Sequence, residues 1–280
     1  MQKTAKRALR SNFTNIDNYR IHYLDEGRGE VILFVHGIPE WSMTYTSLIP
    51  LLTERYRCIV PDHLGFGYSD KDENADLSPA GHAERLLQFI RKLELKNIHM
   101  VVHDLGGPVG MGALVKEPGL FRSLIISNSW LWNLEGTAAG RGLRLMSGSL
   151  GRWLYLNYGF SVKFMAKNGF ADREIFGEWL PLLMSVHRNR EERFANYRMM
   201  REMLISGPYF DQVLQQLKNL NINGQFIWGS LDKFFDKKTI LLRWQKELPA
   251  WKAVEIHTAG HFPHMETPEE YAGKIAEFIQ

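Results

Sequence analysis

The chain has a single cysteine, Cys58, among its 280 residues. One thiol excludes a disulfide framework, and its place in the apolar run Tyr56-Arg57-Cys58-Ile59-Val60 marks an inert strand residue. A reducing cytoplasm suits such a chain, and cytoplasmic is the expected location. No uninterrupted apolar stretch approaches the roughly 18 residues of a spanning helix, so no membrane span is expected. The first ten residues carry Lys3, Lys6, Arg7 and Arg10 with no apolar block behind them. That reads as a basic arm rather than a secretory signal. Charge of one sign is also scarce: 34 basic and 31 acidic residues leave a net +3, which gives no case for nucleic acid. No His/Cys/carboxylate cluster has metal-ligand spacing, and no glycine-rich loop fits a phosphate. Neither a metal nor any other cofactor is expected.

What is present is the composition of a folded protein, 45% hydrophobic and 23% charged. From residue 13 to 130 the pattern alternates strand and helix. Phe13 to Leu24 reads as a strand pair turned at Asp17-Asn18. Val31 to Val35, Cys58 to Val60, Ile98 to Val102 and Leu124 to Ile126 read as buried strands. Helices are expected at Ser47 to Leu52, from a Ser78 cap and Pro79 through Leu93, and from Gly106 onward. After Trp130 the rhythm breaks, and helical segments rich in Met, Trp, Tyr and Arg run to about Asp211. Met146, Met165, Met184, Met199, Met200 and Met203 fall there, where soft side chains suit either an adaptable pocket or a helical core. Strands resume at Gln225 to Trp228 and Ala253 to Ile256, with helices at Thr239 to Leu248 and Pro268 to Ile279. The expected organisation is an α/β core of residues 1–130 and 212–280, with a mostly parallel sheet, and a helical cap of residues 131–211.

Four stretches carry chemistry. Val101-Val102-His103-Asp104-Leu105-Gly106-Gly107 runs from an apolar strand through a polar residue into Gly-Gly and a helix, the context of a nucleophile elbow. In isolation it also reads as a helix N-cap. His36-Gly37-Ile38-Pro39 follows a buried strand, and Pro39 has no N–H. The Ile38 amide is therefore free to form an oxyanion hole with the Leu105 amide. His261, in Ala259-Gly260-His261-Phe262-Pro263-His264, is placed for a general base. Asp232, in Trp228-Gly229-Ser230-Leu231-Asp232, is placed to orient the imidazole. Each stretch stands at the C-terminal end of an expected parallel strand, where such sheets carry their sites. His36 and His103 are read as local supports of their loops, and His264 as a residue behind the site or on the surface.

Taken together, these stretches and Pro61-Asp62-His63-Leu64-Gly65-Phe66-Gly67-Tyr68-Ser69-Asp70-Lys71 resemble the α/β-hydrolase superfamily. Within it they are most similar to haloalkane dehalogenases and their epoxide hydrolase relatives. The resemblance covers residues 13–130 and 223–280 and implies the α/β-hydrolase fold with a helical cap. It also implies a two-step hydrolysis. Asp104 attacks an electrophilic carbon to give a covalent ester, and His261, held by Asp232, activates water against that ester. An aspartate is ionised at neutral pH, and its attack on an ordinary ester would give an anhydride. Saturated carbon bearing a halogen, or an epoxide, is the better target. The implied partners are a small apolar substrate of that kind and water.

The family's dehalogenases hold the leaving halide with two N–H donors, one usually a Trp directly after the nucleophile. Here the positions are Leu105 and Ile38, and neither has a side-chain donor. Trp130, Trp132 and Trp153 are the candidate replacements. Epoxide opening asks instead for cap tyrosines as proton donors, and Tyr155, Tyr158 and Tyr197 are the candidates, with Tyr209 also available. Dehalogenation is the first reading, epoxide hydrolysis the second, and a non-hydrolytic binding protein the third. Cofactor-free oxygenation ranks below these.

Overall fold

The computed structural model describes residues 9–280, apart from the side chains at 138, 139, 161, 165 and 166. Lys3, Lys6 and Arg7 of the basic arm, and the Met165 side chain, lie outside the described residues. Eight strands form one sheet: β1 (Ser11–Ile16), β2 (Tyr19–Gly27), β3 (Glu30–Val35), β4 (Tyr56–Pro61), β5 (Ile98–His103), β6 (Phe121–Ser127), β7 (Asn223–Gly229) and β8 (Lys252–Ile256). Their order is β1-β2-β4-β3-β5-β6-β7-β8. The β1–β2 hairpin turns at Asp17 and Asn18, whose φ angles of 50° and 66° give the primed turn that matches strand twist. β2 pairs antiparallel with β4, and from β4 to β8 every pairing is parallel.

The unbroken apolar runs are explained by burial on both faces. In β3, Leu33 and Val35 join the cluster that includes Met100, Val102, Leu124 and Ile126. Ile32 and Phe34 point the other way, into the cluster of Cys58, Val60, Val101 and Ile125. A side-chain period of two leaves no polar position when both faces are covered. Burial also pushes the Cys58 thiol up to about 12, so it stays protonated and inert.

Three core helices precede the insertion: α1 (Ile49–Leu52), α2 (Pro79–Lys92) and α3 (Gly106–Lys116). The Ser78 hydroxyl accepts the Gly81 N–H at 3.1 Å and Pro79 opens α2, as its spacing predicts. The helix expected from Ser47 is only the single turn α1, because Pro50 has no N–H to give to a preceding turn. Between β6 and β7 lie α4 (Ala138–Ser147), α5 (Ser149–Tyr158), α6 (Phe160–Gly169), α7 (Arg173–Ser185), α8 (Arg190–Ile205) and α9 (Gly207–Lys218). The boundary expected at 211 falls inside α9. That helix packs on α3, and its Tyr209 hydroxyl donates to the Pro108 carbonyl at 3.2 Å. We therefore propose α4–α8 as the cap and group α9 with the core. A π-helical turn (Lys237–Leu241) leads into α10 (Leu242–Glu247), shorter than the expected Thr239–Leu248 helix, and α11 (Pro263–Glu266) and α12 (Pro268–Ile279) close the chain.

Buried histidines stand out in this core. His36, His63 and His82 form a chain of ring contacts, with centroids 4.3 and 5.2 Å apart. Burial lowers the affinity of all three for a proton. His187 in the cap is lowered to about 4, again mainly by burial. Each is neutral in the folded state yet protonates in the unfolded chain below about pH 6.5, so stability is full above that pH and falls as pH drops toward the folded value. Urea unfolding from pH 7 to 5 should show the loss, with His187 alone contributing about 2 kcal/mol at pH 5. A flat stability across that range would contradict neutral burial of these rings.

Candidate active site

Asp104 sits between β5 and α3 with φ of 48°, a left-handed conformation that Asp tolerates better than most residues. Its backbone is tied on both sides. The Asp104 N–H donates to the Asn128 carbonyl at 3.2 Å, and the Asp104 carbonyl accepts from the Ser129 hydroxyl at 2.7 Å and the Gly107 N–H at 3.0 Å. The carboxylate turns back over the loop after β3, where the Ile38 N–H donates to Oδ1 at 2.9 Å. Gly37 makes that approach possible, since a Cβ there would lie 2.3 Å from the Asp104 Cβ. Gly106 is equally constrained, its absent Cβ falling 2.1 Å from the Val35 carbonyl oxygen. Leu105, fully buried at the start of α3, presents no polar side chain.

His261 lies between two carboxylates. Its Nδ1 donates to Asp232 Oδ2 at 2.8 Å and its Nε2 is 3.3 Å from Asp104 Oδ2. Burial works to lower the proton affinity of this ring. Asp232 and Asp104 together outweigh that and hold it well above the ordinary histidine value. Asp232 is kept ionised against its own burial, chiefly by His261 and then by Asn128. The Asn128 amide donates to Asp232 Oδ2 at 2.7 Å, and the Phe234 and Phe235 N–H groups donate to Oδ1 at 2.7 and 3.0 Å. Asn128 cannot itself carry a charge, but it holds the residue that does. The strand-end position was its only signal. The cap closes on this loop through the His261 N–H, which donates to the Gly169 carbonyl at 2.8 Å. Glu266 adds a second tie, accepting from the Gly260 and Ala171 N–H groups at 2.9 and 2.7 Å.

Beneath His261 is a cluster that no sequence spacing announced. His103 Nε2 donates to the His261 carbonyl at 2.6 Å, while Nδ1 faces Glu40 Oε1 at 2.5 Å. Glu40 Oε2 is 3.5 Å from His264 Nε2, and all three side chains are buried. His264 thus belongs to the interior. A carbonyl can only accept, so His103 Nε2 carries a proton, and its Nδ1 edge is turned to the Glu40 carboxylate. Burial works to raise the Glu40 carboxyl, but the two facing rings overcome it and keep it well below the usual carboxylate range. Among the described residues this is the one group with metal-ligand proximity, although residues 40, 103 and 264 are far apart in the chain. We read it as a buried support for the His261 backbone.

Above Asp104 an apolar cavity of about 220 Å³ opens under the cap. Ile38, Leu143, Met146, Met200, Met203 and Phe235 line much of it, and Asp104 is the one polar side chain among the described residues that line it. The methionines therefore divide. Met146, Met200 and Met203 line the cavity, whereas Met199 is buried in the main core and Met184 packs against the Trp179–Leu183 cluster. The other candidates stand away from the wall. Trp153 and Tyr158 are exposed on the outer cap and pack on each other. Tyr197 donates its hydroxyl to the Ser147 carbonyl at 3.1 Å and meets the buried Tyr155 ring edge-on. Trp132 packs against Trp244, with the Arg243 guanidinium over its face. Trp130 is fully buried beside Phe235, and its indole N–H has no partner among the described residues.

Replacing Glu40 by Gln should cost about 3 kcal/mol or more, because it strands the charge shared with His103 in a dry interior. Urea unfolding at neutral pH reads this directly, and a change below about 0.5 kcal/mol, the scale of a surface substitution, would refute the pairing.

Residues 30–268 match the alpha/beta hydrolase fold family. Haloalkane dehalogenase 2 of Mycobacterium bovis is 30% identical over 260 residues, covering 92% of this chain and 91% of its own. A cis-3-alkyl-4-alkyloxetan-2-one decarboxylase of Shewanella oneidensis is 28% identical over 297 residues, covering 97% and 88%. Among solved structures, the Cif epoxide hydrolase of Acinetobacter nosocomialis superposes with a TM-score of 0.84 at 20% identity, covering 97% of this chain and 89% of that one. With its sheet order, its cap and these matches, the chain belongs to the alpha/beta hydrolase family as a haloalkane dehalogenase-like hydrolase.

Proposed function

We propose that the protein is a cofactor-independent hydrolase that attacks saturated carbon with Asp104 and passes through a covalent alkyl ester, in the manner of a haloalkane dehalogenase. The observation that carries this reading is a lone carboxylate on the wall of an otherwise apolar cavity, with His261 immediately behind it. In the first step an Asp104 oxygen displaces the leaving group. The ester carbonyl oxygen that results is the one facing the Ile38 amide, which with the Leu105 amide stabilises the oxyanion of the second step. Esterification also removes one of the two negative charges that raise His261. Its proton affinity falls at the stage where it is needed as a base.

Among the described residues the cavity wall carries no hydroxyl, which counts against epoxide opening by Tyr155, Tyr158 or Tyr197. Trp130 lies behind the wall, its ring against wall residue Phe235 and its indole N–H without a partner among the described residues, and of the three tryptophans it is the donor we favour for a halide. A strained lactone of the kind named for the Shewanella relative is the second reading. It is favoured by the apolar side chains at 38 and 105, since a departing carboxylate does not need a halide cradle.

Intact-protein mass of His261→Ala, after exposure to bromoalkanes, epoxides and dialkyl oxetanones, tests the scheme. A trapped alkyl increment is expected, absent in Asp104→Asn. A whole-epoxide increment, or a lactone increment with or without carbon dioxide, would reassign the substrate, and no adduct at all would remove the covalent step. Trp130→Phe should lower bromoalkane turnover at least tenfold, the scale of one hydrogen bond to a charged group, while Trp153→Phe leaves it unchanged. Ester hydrolysis should quicken as rising pH frees His261 of its proton, and Asp232→Asn should slow it about 10³-fold or more. The same substitution should move the pH profile to lower pH, because it removes a charge that raises the imidazole. A profile that stays in place would dissociate Asp232 from His261.

A further inference from the structure

The outer face of the cap is not an ordinary water-facing surface. Between Gly136 and Ala171 the chain carries Arg141, Arg144, Arg152, Lys163 and Lys167 and no acidic residue. All five basic side chains are exposed. Interleaved with them on α4, α5 and α6 stand Leu145, Leu150, Trp153, Tyr158, Phe160 and Phe164. Leu145 and Leu150 are 81% and 70% exposed, and the other four are also exposed to solvent. An apolar groove of about 280 Å³ opens on the same face, lined in part by Leu145, Leu150 and Phe160. Met146 lines both this groove and the cavity over Asp104, and Phe164 joins it on the cavity side.

Scattered surface hydrophobics need no explanation, but a contiguous patch of this kind marks an interaction site. The charge chooses the occupant. A second copy meeting this one through the same face would set five cations against five cations. An anionic bilayer meets them with phosphates while the leucines and phenylalanines enter the acyl boundary, and Trp and Tyr are the residues that favour the headgroup level. No helix among the described residues is long and apolar enough to cross a membrane, so the contact lies in the plane of the surface. We propose that the α4–α6 face docks this protein on anionic lipid, and that the groove hands membrane-dissolved apolar molecules to the cavity. The delivery step rests on the catalytic reading above. Docking is read without turnover and stands or falls alone.

The test is co-sedimentation of the full chain with vesicles of phosphatidylglycerol and phosphatidylcholine, against phosphatidylcholine alone. Binding to the anionic vesicles is expected, weakening with salt. Arg141→Glu with Arg144→Glu should cut partitioning by well over the roughly five-fold that each cation contributes. Leu145→Ser with Leu150→Ser should also weaken it, without changing the unfolding midpoint, because these positions are exposed. Three results would overturn the proposal. The first is no sedimentation with anionic vesicles at low salt, and the second is sedimentation indifferent to both pairs of substitutions. The third is a concentration-dependent dimer, or an acidic protein partner, that the same substitutions abolish while vesicles are ignored.

Discussion

The fold around the site is organised by one constraint: a buried imidazole held between two buried carboxylates. Charges removed from water are tolerated only when paired and hydrogen-bonded. Asp232 therefore requires the Asn128 amide and two backbone N–H groups as well as His261. Asp104 in turn takes the Ile38 N–H and sits on a glycine that leaves it room. The ends of β3, β5, β6 and β7 and the loop after β8 are all committed to satisfying this group of charges.

A second buried ionic group lies directly behind the first. Glu40, His103 and His264 share no role with the cavity, yet His103 holds the His261 carbonyl. The two groups fix the position of the imidazole from both sides, by side chain and by backbone. Gly169 and Glu266 then bind the cap to the same loop. The cap and the imidazole loop are thus joined by direct hydrogen bonds.

The inner and outer faces of the cap obey different physics. Inward, Met146, Met200 and Met203 make a soft apolar wall over a single carboxylate. Outward, leucines and aromatics alternate with exposed cations on α4 to α6. A helical period alone does not separate these faces when both are rich in apolar residues. The tyrosines and tryptophans of the insertion therefore gave no sign, in one dimension, of which would meet the cavity. Of Trp153, Tyr158, Tyr197 and Trp132, none lines it.

The core was legible because local rules and tertiary packing agree there. Strands buried on both faces must be continuously apolar, a Ser-Pro pair starts α2 through its own hydrogen bond, and the Asp-Leu-Gly-Gly geometry at the elbow is set within a few residues. The order of Asp104, Asp232 and His261 at strand ends was readable for the same reason, since each depends on its own strand. The Glu40–His103–His264 group, the hold of Asn128 on Asp232 and the composition of the cavity wall join residues separated by scores of positions. Sheet order and cap closure bring them together, and those follow from the summed packing of many side chains rather than from any local pattern.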